Sequence, residues 1–260
     1  MGIQLERNGP VLTIIMDRPE VRNAFDAEMA RLLADAFRAF ENDDTLNAAV
    51  LWGSGGTFCA GADLNALASK MEKESVRLKD DMSADGPMGP TRMSVSKPVI
   101  AAVSGYAVAG GLELACLCDL RVAEKDAVFG VFCRRFGVPL IDGGTQRLPR
   151  LIGMSRALDM ILTGRPVSAT EAFEMGLANR LVERGQARAE AEKIAYTISK
   201  FPQICLRSDR EAVYKGFDLA LGDALSLEFK LGMKVIKSGE SHAGALRFQS
   251  GEGKKGRFNK

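Results

Sequence analysis

The sequence predicts an α/β fold whose parallel strands are buried on both faces, followed by a helical C-terminal region. Three observations carry this: short apolar runs rich in β-branched residues, segments between them with apolar residues at helical spacing, and no convincing strand after about Gln186. The first run is Val11 to Met16, closed by Asp17-Arg18-Pro19. Met29, Leu32, Leu33, Ala36, Phe37 and Phe40 then recur at helical spacing. Asp26 is placed to cap that helix, because a short carboxylate accepts the N–H groups that a first turn leaves unpaired. Ala48 to Trp52 reads as a buried strand ended by Gly53-Ser54-Gly55-Gly56, and Val99 to Val103 as another ended by Ser104-Gly105.

Asn65 to Val95 is mostly polar and contains Gly86-Pro87-Met88-Gly89-Pro90, which predicts a short helix and then a mobile excursion able to wall or cover a site. Leu120 to Ala123 is a further strand, and the stretch from there to Thr145 is irregular, rich in Gly and Pro. Ser168-Ala169-Thr170-Glu171 has the form of a capping box, with Gly176 as the stop of the helix it opens. Phe201-Pro202 breaks the helical region, so the chain divides into a core over residues 1–200 and a helical region over 201–260. Leu206, Leu221, Leu225, Leu227, Phe229 and Met233 are more apolar surface than a lone helix pair hides. Either oligomerisation or packing on the chain's own core accounts for them.

Apolar residues make up 46% and charged residues 26% of 260, values that place the chain among globular proteins rather than disordered or membrane ones. A net charge of +2 gives no basis for a general nucleic-acid partner. The basic residues Lys254, Lys255, Arg257 and Lys260 crowd the end of the chain, as a solvated tail or an anion contact. Five cysteines without a CxxC pair suggest neither a disulfide framework nor a zinc knuckle. With no signal-like segment in Met1 to Gly9 and no run long enough to span a membrane, the expectation is a cytoplasmic chain with no membrane partner. His242 is the single histidine, which leaves little room for a serine or cysteine triad or a histidine metal site. No metal is expected, and the chemistry falls to carboxylates and backbone.

Two loops are placed for such chemistry. Gly56-Thr57-Phe58-Cys59-Ala60-Gly61-Ala62-Asp63-Leu64 leads from a strand into a helix near Asp63, and its small residues admit a ligand close to the backbone. At a helix entry the peptide N–H groups lack partners, so that of Ala62 can face an anion or a developing oxyanion. Ser104 to Ala115 repeats the arrangement, with Gly110 at the helix start. Two such donors on adjacent loops make an oxyanion hole. Glu113, three residues after Gly110, lies on the same side of that helix, where it is either a general acid or base or a first-turn glutamate favouring the helix dipole.

Phe-x-Ala-Gly-Ala-Asp-Leu followed about forty residues later by Gly-Tyr-Ala-x-x-Gly-Gly-x-Glu-Leu-Ala resembles the signature of the enoyl-CoA hydratase/isomerase, or crotonase, superfamily. Asp119 to Ala123, Gly143 to Leu148, Leu151-Ile152-Gly153, Arg18-Pro19 and Asn23-Ala24 are also similar to it, so the resemblance covers essentially the whole chain. It implies a spiral of ββα turns with a C-terminal helical region, assembled as trimers or pairs of trimers. It implies that Ala62 and Gly110 supply the oxyanion N–H groups, and that Arg22, Ala24, Ala60, Asp63 and Leu64 lie along the CoA of an acyl-CoA substrate. No further cofactor is implied, since CoA arrives with the substrate. Basic residues near the C-terminus, here Lys254, Lys255 and Arg257, often reach a neighbouring subunit's CoA in the family.

The pattern is broken at one place. Hydratases of the family hold a second glutamate in Gly-x-Pro-Glu, and alignment from Phe129-Gly130 puts Cys133 there. Asp142 lies nearby, where the dienoyl-CoA isomerase branch has an acid/base aspartate; a loop or capping role fits it as well. Hydration of a 2-enoyl-CoA is the first reading, because it is the commonest activity of the fold. Isomerisation of an enoyl- or dienoyl-CoA double bond is the alternative, and an inactive acyl-CoA-binding protein is the reading from another class.

Overall fold

Residues 2–69 and 78–253 are described by the computed structural model; Lys254, Lys255, Arg257 and Lys260 lie outside them. The chain divides into two compact units, Met1–Ser199 and Lys200–Lys260.

The first unit opens with Ile3–Asn8 (β1), a mostly exposed strand that pairs antiparallel with Val11–Met16 (β2). The sequence reading missed β1, because its polar run shows no buried face. A six-stranded sheet follows in the order β1, β2, Ala48–Gly53 (β3), Val99–Val103 (β4), Leu120–Glu124 (β6) and Arg180–Val182 (β9), parallel from β2 onward. Tyr106–Val108 (β5), Val128–Gly130 (β7) and Val167–Ser168 (β8) form a second, three-stranded sheet. β7 and the 3-10 helix Phe132–Phe136 correct the expectation of an irregular stretch after Ala123.

The helices of this unit are Ala27–Asn42 (α1), Leu64–Ser69 (α2), Gly110–Leu117 (α3), Gly144–Ile152 (α4), Met154–Thr163 (α5), Ala169–Glu174 (α6) and Ala187–Ser199 (α7). Each turn of the chain runs strand, short strand, helix: β4, β5, α3, and then β6, β7 and the 3-10 helix. This is the spiral of ββα turns. The large sheet is buried on both faces: Val11, Ala48, Val50, Ile100, Ala102 and Val122 cluster with Ala187, Ala191 and Ala195 of α7. On the other face Leu12, Ile14, Leu51, Ala101 and Val103 join Phe37 and Phe40 of α1 and Leu114 of α3 in one core. β3 and β4 are apolar throughout and β2 is interrupted only by buried Thr13, whose hydroxyl donates to Glu192 at 2.8 Å, as suits parallel strands covered on both sides.

Local chemistry fixes the helix ends. Asp26 accepts the N–H of Met29 at 2.9 Å, and Ser168 that of Glu171 at 3.2 Å, so both expected caps are present. The return half of the second box is absent, because the Glu171 carboxylate pairs with Arg165 instead. Buried Lys97 donates to the carbonyl oxygens of Phe40 and Asp43 at 2.8 Å and satisfies the end of α1. Arg121, also buried, donates to those of Ala115 and Cys118 at the end of α3. These two cations take the place of capping glycines, and Arg121 ties the site-bearing helix to β6.

The second unit holds Gln203–Gly216 (α8), Leu221–Lys237 (α9) and Glu240–Ser250 (α10). The Glu240 carboxylate accepts the N–H groups of Ile204 and Cys205 at 3.2 and 2.7 Å, which caps α8 from the opposite end of the unit's chain. Val213, Phe217, Leu221, Leu225, Phe229 and Phe248 are exposed. Among the described residues no helix is long and apolar enough to cross a membrane.

Candidate active site

Two strand-to-helix loops are laid side by side. Cys59 N–H donates to the Tyr106 carbonyl at 2.9 Å, and Val108 N–H donates back to the Cys59 carbonyl at 3.1 Å, so the first loop continues the small sheet at the edge of β5. Close approach needs glycine. A Cβ on Gly61, whose φ is +93°, would lie 2.8 Å from Ala109 Cβ and 3.0 Å from the Gly110 nitrogen. Buried Asn23 braces the far side, its amide donating to the carbonyls of Ser54 and Thr57 at 2.9 and 2.7 Å.

Ala109 caps α3 with φ 54° and ψ −127°, a conformation that costs an alanine about 1–3 kcal/mol and persists only where the surroundings impose it. Here the Ala109 N–H is held by the Gly130 carbonyl at 2.9 Å, while the Ala109 carbonyl already accepts from Leu112 and Glu113. The next N–H, that of Gly110, has no acceptor among the described residues. Neither has that of Ala62. Both residues line a cavity of about 450 Å³.

Two carboxylates border the same cavity, Glu113 from the first turn of α3 and Asp142 from the loop before α4. Glu113 is 2% exposed, and its Oε1 accepts the N–H groups of Asp142 at 2.9 Å and Gly144 at 2.8 Å. Burial, and then the neighbouring Asp142, push its pKa up to about 7; the two N–H groups and Arg147 act in the opposite sense and lose. Asp142 is 5% exposed, with Oδ1 accepting the Met88 N–H at 2.8 Å and the Thr91 hydroxyl. Its carbonyl accepts from Arg147, which also donates to the Thr91 carbonyl, both at 2.8 Å.

The rest of the lining is largely apolar and includes Leu64, Leu67, Met88, Phe132, Phe136 and Ile141. The segment from Gly86 to Thr91, expected to be a mobile excursion, is buried and forms the wall that faces Gly110. Cys133 also borders the cavity; burial, and then Glu113, raise its thiol pKa, so it presents a neutral group where a second carboxylate was expected to be missing.

The sequence-predicted residues separate into two sets. Ala60, Ala62, Leu64, Gly110, Glu113, Cys133 and Asp142 meet at the cavity. Arg22 and Ala24, beside the first loop, and Asp63, within it, are not among the residues that line the cavity: the Arg22 carbonyl accepts the Ala60 N–H at 3.0 Å and its side chain is exposed. Asp63 is committed to Arg18, at 3.4 Å, and to the N–H groups of Asn65 and Ala66. The reading missed Asn23, Met88, Thr91 and Arg147. Asn23 and Arg147 carried a signal, their places in the Asn23-Ala24 pair and in the run Gly143 to Leu148.

A family profile described as enoyl-CoA hydratase/isomerase matches residues 6–259. An enoyl-CoA hydratase of Mycobacterium tuberculosis is 34% identical over 251 residues, covering 94% of this chain and 92% of its own length. The solved structure of an enoyl-CoA hydratase from Mycobacterium marinum superposes with a TM-score of 0.88 at 33% identity, covering 95% of both chains. Another from Bacillus anthracis gives 0.88 at 31% identity over 96% of each.

Proposed function

The chain belongs to the enoyl-CoA hydratase/isomerase family, and from that premise we propose that it adds water to the double bond of a 2-enoyl-CoA thioester. The observation that carries this reading is the meeting, in one apolar cavity, of two unpaired backbone N–H groups and two carboxylates, one of them with a pKa near neutrality. The N–H groups of Ala62 and Gly110 hydrogen-bond the thioester carbonyl oxygen and gain strength as enolate charge builds on it. The positive end of α3 adds to this at Gly110. Preorganised donors of this kind need no rearrangement during reaction, and one of them is typically worth about 10²–10³ in rate.

The carboxylates supply the proton transfers. As the water oxygen bonds to C3 its proton passes to one carboxylate, and C2 receives a proton from the other; the net change is one water added. Glu113 suits this work because a group with a pKa near 7 both holds and releases a proton at neutral pH. CoA enters with the substrate and no other cofactor takes part. In this reading Arg22, Ala24 and Asp63 lie along the CoA, and the protein works as a cytoplasmic trimer or dimer of trimers joined through the region 201–260.

A second reading is favoured by Cys133, which puts a neutral thiol on the cavity wall. With Asp142 as the only other carboxylate among the described cavity residues, double-bond isomerisation becomes the rival: a proton leaves C2 of a 3-enoyl thioester and one returns at C4, with no water consumed. Incubation with a trans-2-enoyl-CoA and with a trans-3-enoyl-CoA, followed by mass spectrometry and chromatography, separates the readings. A product heavier by one water supports hydration, unchanged mass at a new retention time supports isomerisation, and binding without turnover overturns both.

A further inference from the structure

We propose that Thr91 is a positioning residue that fixes the Asp142 carboxylate as a proton acceptor at the cavity. The inference rests on the reading above that Asp142 takes part in the reaction. Thr91 is 3% exposed, lies 51 residues from Asp142 in the chain, and spends its hydroxyl proton on Asp142 Oδ1. The Met88 N–H donates to the same oxygen at 2.8 Å. Two donors on one oxygen stabilise a carboxylate and oppose a carboxylic acid, since a hydrogen bond to the charged form favours that form. They also hold the side chain in one orientation.

The surroundings preserve this contact. Gly86 and Gly89 exchange backbone hydrogen bonds at 2.8 and 2.9 Å, which pins Pro87 and Met88 between them. A Cβ on Gly86 would fall 2.0 Å from the Thr91 hydroxyl oxygen and 3.3 Å from Asp142 Oδ1, so only a glycine leaves the pair its space. Arg147 then links the backbones of the two residues through their carbonyls. Among the described residues, Glu113 from α3, Cys59 from the first loop and Cys133 from the 3-10 helix are titratable groups near the pair. The Arg147 guanidinium donates to the Asp142 and Thr91 carbonyls, not to the Asp142 carboxylate, in the described contacts. Thr91 and Met88 are donors that meet Oδ1 directly, and both favour its ionised form.

The test compares Thr91→Val, Thr91→Ser, Gly86→Ala and Asp142→Asn on whichever thioester the enzyme turns over. Thr91→Val should lower kcat by roughly tenfold to 10²-fold, as expected of a misplaced reacting group, with KM little changed and the acid limb of the rate profile moved to higher pH. Gly86→Ala should give the same signature without altering either partner, and Thr91→Ser, which keeps the hydroxyl, should recover most of the loss. A folded Thr91→Val with the parent's kcat and pH profile, beside an impaired Asp142→Asn, overturns the positioning role and leaves the proposed reaction standing. If Asp142→Asn itself turns over normally, Asp142 is no part of the chemistry and both fall. Should Thr91→Val not fold, Gly86→Ala decides: a normal acid limb there overturns the inference.

Discussion

The backbone N–H of Asp142 donates to Glu113 Oε1 at 2.9 Å, so the main chain of one carboxylate residue is bound to the side chain of the other. Whatever moves the loop before α4 moves Glu113 with it. The same contact brings a second negative charge toward a carboxylate already stripped of solvent, which is why two N–H donors do not bring Glu113 below its ordinary value.

That balance has a stability signature. Glu113 is raised from 4.5 to about 7 in the native state, so between those values the native chain holds a proton that the unfolded chain has released. Stability therefore falls as pH rises through this window and levels off above it. Glu113→Gln keeps an oxygen for the two N–H groups and removes the titration. Urea unfolding at pH 5 and pH 8 should show the variant gaining about 2–3 kcal/mol on the parent between the two. A constant difference would mean that Glu113 titrates as an exposed glutamate.

Gly144→Ala tests the geometry from the other side. The added Cβ would lie 2.8 Å from Glu113 Cγ and 2.9 Å from Oε1, so the carboxylate must shift even though the backbone itself tolerates alanine. Turnover should fall by about 10²-fold with the fold intact. Normal kinetics in a folded Gly144→Ala would show that the position of Glu113 is not critical.

How much of this was legible in the sequence depends on the range of the interaction. The caps at Asp26 and Ser168, the strands β2, β3, β4 and β6, and the break at Phe201-Pro202 are written in adjacent residues and were read correctly. The two loops and Glu113 were found because strand, small residues and helix follow one another directly. β1, β5, β7, β8 and β9 were missed: the first is an exposed edge strand, and the others are only two or three residues long. Thr91 and Met88 escaped for another reason. Their bonds to Asp142 span more than fifty residues, and no periodicity or spacing announces a contact made only by the folded chain.

The donor at Gly110 is removed by Gly110→Pro. Proline fits the first position of a helix, while the new ring displaces the Met88 side chain, whose Sδ lies 2.9 Å from the Cβ position. A folded variant should lose roughly 10²–10³ in kcat. Unimpaired turnover, measured beside circular dichroism and thermal unfolding, would remove Gly110 from the oxyanion assignment.

Cys133→Glu returns a carboxylate to the cavity wall. If the absence of that group is what limits hydration, water addition should increase. The new charge should also push the Glu113-controlled limb of the pH profile further upward, because like charges oppose ionisation. A folded variant without gain in hydration indicates that the wall around Phe132 and Phe136 has diverged as well, and favours isomerisation.

The central claim is that Glu113 moves the proton at the acyl chain of a bound thioester, and it is tested most directly by kcat of Glu113→Gln at pH 7 with affinity for the same thioester measured in parallel. The account predicts a loss of about 10²–10⁴ in kcat, the range for a missing general acid or base, with binding essentially unchanged. Turnover at the parent's rate by a folded Glu113→Gln would contradict it.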